Sequence, residues 1–239
     1  PSGMVSFSDA RTPPFFTGSC LAELIGQGVL SEQFRYLDSD ELPLDRPLYE
    51  HQECAIRKAV IEGRNIVMAT GTGSGKTEAF LVPILDHLFR EKERGALRPG
   101  VRALLLYPMN ALANDQVSRL RKLLESCPDV TFGRYTGETK EEEKAARDEY
   151  RGSYQHDPLA NELISRQRMR HTPPHILLTN YAMLEYLLLR PADNVFFDGP
   201  SAQYWRFLIL DEAHTYTGAK GIEMALLLRR LRDRVTGGE

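Results

Sequence analysis

The amino-acid sequence predicts an α/β domain, a mostly parallel sheet with helices on both faces. Three observations predict it. Short apolar runs alternate with stretches whose apolar residues recur at helical spacing. The runs are continuously apolar, as expected of strands covered on both sides. The residues with unusual chemistry stand just after those runs, and open parallel sheets bind ligands at the carboxyl ends of their strands.

Residues 1–45 read as an N-terminal accessory helical region. Thr12-Pro13-Pro14 and Pro43-Leu44-Asp45-Arg46-Pro47 are breakers, and Cys20–Gly26 and Ser31–Tyr36 between them read as short helices. The domain proper covers residues 46–239. Asn65–Ala69 is its first expected strand, followed by a helix over Glu78–Arg90 with Phe80, Leu81, Ile84, Leu85 and Leu88 on one face. Ala103–Tyr107 is the second strand, with a helix near Asn114–Leu124. Thr131–Tyr135 is the third, expected on the outside of the sheet. His175–Leu178 is the fourth, with a helix over Ala182–Leu188; Phe207–Leu210 is the fifth, with a helix over Gly221–Arg234. Residues 138–172 interrupt the rhythm. Glu138–Glu149 is densely charged and Asn161–Arg170 has a helical look, so the segment reads as a surface insertion.

At 239 residues, 42% hydrophobic and 26% charged, the chain can bury a sizeable core. A formal net charge of −3 gives no general attraction to a polyanion, so any nucleic-acid contact must be a local surface. Cys20, Cys54 and Cys127 form no Cys-x-x-Cys pair, which argues against a disulfide framework or a zinc site and for reduced cytoplasmic thiols. No run of 18 apolar residues suggests a membrane span. The opening Pro1-Ser2-Gly3-Met4 lacks the pattern of a signal peptide and an initiator methionine at position 1, which suggests a fragment or a processed chain.

Thr70-Gly71-Thr72-Gly73-Ser74-Gly75-Lys76-Thr77 joins the first strand to its helix. Glycines let several backbone N–H groups turn toward one chain of phosphates. The following helix presents its positive end to the same anion. Lys76 supplies a cation for the β- and γ-phosphates, and the Thr77 hydroxyl can ligate Mg2+. The usual pattern begins with Gly where Thr70 stands. Asp211-Glu212-Ala213-His214 follows the apolar run Phe207–Leu210. A carboxylate at the tip of a buried strand is costly unless it serves an ion. Asp211 is read as the Mg2+ ligand and Glu212 as the base that orients and deprotonates water, as phosphoryl transfer requires. His214 is read as a link toward a second site, or as an ordinary polar residue after a strand.

With these two motifs in this order the chain resembles superfamily 2 helicases of the Asp-Glu-Ala-His type, over roughly residues 46–239. The run Asp211–Tyr216, Gly218 and Leu227-Leu228-Arg229-Arg230-Leu231 resembles the MrfA/YprA-like and Hrq-like DNA helicases and related phage-defence helicases. The resemblance implies a RecA-like P-loop NTPase fold, ATP and Mg2+ as cofactors, and catalytic roles for Lys76, Asp211, Glu212 and His214. Tyr49 and Gln52, in Leu48–Gln52, match the adenine-reading segment; a Gln amide offers a donor and an acceptor to the adenine edge. Three segments match nucleic-acid motifs. They are Tyr107–Gln116 with Pro108, Asn110, Ala111 and Gln116, Tyr135–Glu138 with Thr136 and Gly137, and Leu178–Leu184 with Thr179 and Asn180. Small hydroxyl residues and helix starts grip phosphates without reading sequence.

The resemblance also implies a second RecA-like lobe carrying arginine fingers, and a Ser-Ala-Thr-like motif that does not follow residue 214 here. The expected function is therefore the ATP- and nucleic-acid-binding lobe of a helicase or translocase. It is expected to act on single-stranded DNA in repair or phage defence, in a bacterial cytoplasm, with complex subunits as partners. Three alternatives stay open: a non-unwinding double-stranded DNA translocase of a restriction or defence complex, another P-loop enzyme such as a GTPase or small-molecule kinase, and a folding module with a degenerate site. Gln52 and the acidic box argue against the second, and intact Lys76, Asp211 and Glu212 against the third. Trp205 reads as packing, Glu141-Glu142-Glu143 as solvated surface, and Arg229, Arg230, Arg232 and Arg234 as a solvated helix face or, alternatively, a nucleic-acid or interdomain surface.

Overall fold

The computed structural model describes residues 16–37, 39–69 and 75–237. The chain forms two compact units, residues 1–97 and 98–239.

In the first unit, β1 (Phe16–Cys20) pairs antiparallel with β2 (Pro47–Tyr49), Phe16 opposite Tyr49 and Cys20 opposite Pro47. Helix α1 (Leu21–Gly26) buries Leu21, Leu24 and Ile25. A 3-10 turn over Glu32–Tyr36 starts at Ser31, whose hydroxyl accepts the Gln33 N–H. These match the two expected short helices, whereas β1 was not expected. Its five residues include a glycine and acquire strand form only from the partner ladder. Helices α2 (Glu50–Val60) and α3 (Lys76–Glu93) follow. Asp86 of α3, 3% exposed, accepts the Ser31 N–H at 2.7 Å and the Arg90 guanidinium at 2.8 Å, and Phe34 meets Phe89 edge-on. The region before residue 46 is thereby fastened onto α3. The expected first strand, Asn65–Ala69, carries no ladder. Ile66 and Met68 are half-buried while Asn65, Val67 and Ala69 are exposed, so a two-residue period persists without a hydrogen-bonded neighbour among the described residues.

The second unit is a five-stranded parallel sheet in the order β5-β4-β6-β3-β7. The strands are β3 (Ala103–Tyr107), β4 (Phe132–Arg134), β5 (Glu162–Leu163), β6 (Ile176–Asn180) and β7 (Phe207–Leu210). Helices α4 (Asn110–Leu124), α5 (Glu143–Tyr154), α6 (Arg166–His171), α7 (Tyr181–Leu189) and α8 (Gly218–Val235) complete it. Every residue of β3 is buried, and Leu104, Leu106, Leu177, Leu184, Leu187 and Leu227 share one core. Burying each such side chain is worth roughly 1.5–3 kcal/mol. Trp205 packs as expected, stacked on Phe197, its indole N–H on the Phe196 carbonyl at 2.8 Å.

Two expectations change. β4 is not outermost, because β5 lies outside it. And residues 138–172 are built into the sheet: Leu163 is 2% exposed and Met169 0%. Asn161 does not belong to a helix. Its amide Nδ2 donates to the Leu124, Cys127 and Val130 carbonyls at 3.0 Å each, which seats β5 against the end of α4. Arg121 then grips Glu162 through Nε at 2.8 Å and Nη2 at 2.8 Å. At the opposite end of the strands His175 is held neutral: its Nδ1 accepts the Thr131 N–H at 2.9 Å, its Nε2 faces the Arg98 carbonyl, and burial pushes its pKa down to about 4. No described helix is long and apolar enough to cross a membrane.

Candidate nucleotide and nucleic-acid sites

In the first unit, Thr70, Gly71, Thr72, Gly73 and Ser74 lie outside the described residues. Gly75, Lys76 and Thr77 form the start of α3. Gly75 caps it at φ 71°, a left-handed conformation that favours glycine. A Cβ there would sit 2.3 Å from the Gln52 amide nitrogen, so a side chain at this position would have to displace the Gln52 amide. Lys76 and Thr77 occupy the first turn, where the helix dipole favours an anion. Gln52 is 3% exposed. Its Oε1 accepts the Tyr49 N–H at 2.9 Å and its Nε2 donates to the Gly75 carbonyl at 2.8 Å. The side chain expected to read adenine thus ties the start of α2 to the end of the phosphate loop. Each of these two atoms keeps a second hydrogen-bonding position, one lone pair on Oε1 and one proton on Nε2, that these bonds do not use.

In the second unit, the acidic box follows β7. The Asp211 N–H donates to the Leu106 carbonyl at 3.1 Å, continuing the ladder with β3 by one residue. Its Oδ1 accepts the Glu212 N–H at 2.9 Å. Glu212 stands at φ 49°, ψ 41°. A non-glycine residue held there stores strain of order 1–3 kcal/mol, a signature of functional turns. The Thr215 hydroxyl, donating to the Glu212 carbonyl at 2.8 Å, helps hold it. His214 is exposed, with Nδ1 3.2 Å from Glu212 Oε2. Tyr107 ends β3 beside this box. Its hydroxyl is buried without a hydrogen-bond partner among the described residues, and burial, then the Asp211 carboxylate, hold it in the neutral form.

The three expected nucleic-acid segments meet at the carboxyl ends of β3, β4 and β6. Asn180 caps α7, its Oδ1 accepting the Met183 N–H at 2.8 Å. Its Nδ2 donates to Asn110 Oδ1 at 2.7 Å, and Asn110 Nδ2 donates to Glu138 Oε1 at 2.9 Å. Ala111 and Gly137 are exposed, and Pro108, Gln116, Asn110 and Asn180 are half-exposed. Thr136 and Thr179, expected to meet phosphates through their hydroxyls, are corrected to inward positions: both are 0% exposed. Thr179 donates to the Tyr135 carbonyl at 2.7 Å, and the Thr136 N–H donates to the Thr139 hydroxyl at 2.9 Å. They shape the loop from inside.

That loop is also held by α6. Arg166 donates to the Thr136 carbonyl at 3.0 Å. Arg170 donates to the Tyr135 hydroxyl at 2.7 Å and to Asp193, and Tyr135 itself donates to Asp193 at 2.6 Å. Sequence reading missed Arg134, Arg166 and Arg170, and gave Tyr107 and Glu138 no role although they stand at the ends of two motif segments. The three arginines belong to no local pattern, and each acquires its place from a partner distant in the chain. Among the described residues no group of three or more His, Cys, Asp or Glu side chains could hold a metal alone. Asp211 by itself would therefore need further oxygens from a ligand or solvent to complete the shell of a Mg2+ ion.

The profile of the DEAD/DEAH box helicase family matches residues 49–237. The chain belongs to that family. This helicase domain is 32% identical to the Druantia protein DruE of Escherichia coli, over 94% of this chain and 17% of that protein. It is 33% identical to the ATP-dependent helicase Lhr-Core of Methanothermobacter thermautotrophicus, over 72% of this chain and 18% of that one. Among solved structures it resembles the DUF1998 helicase MrfA bound to DNA and AMPPNP, with 26% identity and a TM-score of 0.60 over 96% of this chain and 26% of that chain. It spans less than a fifth of the length of those two curated relatives. It is a DEAD/DEAH box helicase domain with the α/β fold of RecA-like helicase lobes.

Proposed function

We propose that this domain binds ATP·Mg2+ and single-stranded DNA as one lobe of a helicase or translocase working in DNA repair or phage defence. The observation that carries the nucleic-acid part is the hydrogen-bonded line Asn180–Asn110–Glu138, which joins three strand ends on the edge that also bears the acidic box. Residues 70–77 take the phosphates, with Lys76 on the β- and γ-phosphates and Thr77 on Mg2+. Asp211 takes Mg2+ and Glu212 orients and deprotonates water. Tyr49 and Gln52 serve the adenine side, and His214 links the acidic box to the DNA-binding residues. Pro108, Asn110, Ala111, Gln116, Gly137 and Asn180 meet the phosphodiester backbone, which suits a motor that moves without reading sequence. Thr136 and Thr179 brace that surface.

A second lobe supplies arginine fingers. An arginine finger is worth roughly 10³–10⁵ in rate, so residues 1–239 alone hydrolyse ATP slowly. The setting is a bacterial cytoplasm, with repair or defence proteins as partners, which the likeness to the Druantia protein DruE supports. The test uses the full-length protein. ATP hydrolysis is measured with no nucleic acid, single-stranded DNA, duplex DNA and RNA, alongside strand separation on a tailed duplex. Stimulation by single-stranded DNA together with strand separation is the expected result. Stimulation by duplex without strand separation makes the protein a remodelling translocase, and no stimulation by any nucleic acid refutes the reading.

A further inference from the structure

The oriented amides at the strand ends terminate on a carboxylate. The Met183 N–H fixes Asn180 Oδ1, which turns Asn180 Nδ2 onto Asn110 Oδ1. That in turn fixes Asn110 Nδ2 outward as a donor, and it meets Glu138 Oε1 at 2.9 Å. The other oxygen of the same carboxylate, Oε2, accepts from Arg134 Nη1 at 2.9 Å. The Arg134 guanidinium is itself aimed by a second bond from Nη1 to the Asn114 amide oxygen. An amide donor and a guanidinium thus converge on one anion, at the ends of strands β3 and β4. Two oxygens held by two donors is also the arrangement by which a phosphodiester is gripped.

Glu138 is the loose member of this group. Its side chain is 56% exposed against 26% for Arg134, and it stands on the loop next to exposed Gly137. An ion pair this exposed contributes about 0.2–1 kcal/mol, so it yields readily to a competing anion.

The geometry points to a phosphate-binding slot formed by Asn110 and Arg134, which Glu138 fills with its own carboxylate until a nucleic-acid phosphate displaces it. Arg134 is thereby a nucleic-acid-binding residue. Glu138 opposes binding twice: it occupies the donors, and its charge repels the incoming backbone. The slot takes a phosphate oxygen rather than a base edge, so it acts on any sequence. The inference rests on the proposed nucleic-acid binding and deepens it.

The test measures binding of a fluorescent oligo-dT to full-length protein by anisotropy across a salt series. Glu138→Gln keeps the shape and removes the charge; it is expected to tighten binding roughly threefold to tenfold at low salt. Arg134→Ala is expected to weaken binding and lower the slope of log Kd against log salt by about 1. In the Arg134→Ala background the gain from Glu138→Gln is expected to shrink to the level of Glu149→Gln. Glu149→Gln is the charge control: that carboxylate, 55% exposed, lines the same cavity but pairs with Lys140 and bonds neither Asn110 nor Arg134. The slot is overturned if Glu138→Gln binds no tighter than wild type, if Glu149→Gln tightens binding as much, or if the gain survives undiminished without Arg134. Should wild type bind no oligonucleotide and show no stimulated hydrolysis, the proposed function falls and the slot with it. Normal wild-type binding with an inert Glu138→Gln sinks the slot alone.

Discussion

Replacing Arg170 with alanine should loosen the Thr136–Gly137 loop by an amount the structure lets one work out. Asp193 is 0% exposed. Its Oδ1 accepts the Tyr135 hydroxyl at 2.6 Å and Arg170 Nε at 2.7 Å. Among the described residues its Oδ2 makes no hydrogen bond, and the other cation paired with it, Arg190 on a 43% exposed side chain, is 3.8 Å away. Removing one partner of a buried ion pair costs about 3–5 kcal/mol, because a charge is left desolvated. Arg190 retains part of the compensation, which puts the expected cost near the lower end, about 3 kcal/mol. Since the Tyr135 hydroxyl belongs to the network and the Tyr135 N–H donates to the Leu178 carbonyl, the loss falls on β4, the loop and the 191–196 turn. Hydrogen exchange by mass spectrometry reads this locally. Peptides covering residues 134–140 and 191–196 should exchange on the order of 100-fold faster, the equivalent of that free energy. Replacing both residues by apolar ones of similar volume should restore most of the protection. If Arg170→Ala changes exchange there by less than about threefold, the buried carboxylate does not depend on it and the reasoning fails.

Other outcomes follow from single sites. Gly75→Ala should lower ATP affinity at least tenfold, since the added carbon meets the Gln52 amide and φ 71° disfavours alanine; calorimetric titration of full-length protein checks it. Lys76→Ala should abolish nucleotide binding, while Glu212→Gln should keep binding and block turnover; full hydrolysis by Glu212→Gln would refute its role as the base. His175 has a folded pKa of about 4 below its ordinary 6.5. Its neutral form therefore contributes stability that is present above pH 6.5 and lost as pH falls toward 4, roughly 3 kcal/mol in all. Melting temperature should fall less steeply over that range in His175→Gln, and identical slopes would exclude this histidine as a source.

The strands that sequence pattern located are those whose own side chains carry the signal. β3, β6 and β7 are continuous apolar runs, and their registers place Tyr107, Asn180 and Asp211 at one edge, as the motif positions suggested. β5 has no such signal. It is two residues, Glu162-Leu163, and becomes a strand because Asn161 and Arg121 hold it there, information that lies in residues 121–130. The motifs of the site were legible because each is a short local string. The direction of a side chain was not, so the hydroxyls of Thr136 and Thr179 were expected outside although they face the interior. Arg134 was invisible for a related reason. Its meaning comes from Asn110 and Glu138, which meet only after β3 and β4 have taken their places across β6.

The brevity of β5 limits what that margin of the sheet offers to another polypeptide. A sheet margin with many unsatisfied backbone groups is a template on which another polypeptide can add. Here the margin beyond β4 is a single pair of residues, one of them a carboxylate clasped by Arg121. It offers almost nothing to extend. Trimming residues 138–172 as a dispensable decoration would strip that cover, present Phe132-Gly133-Arg134 to solvent, and favour clumping over solubility.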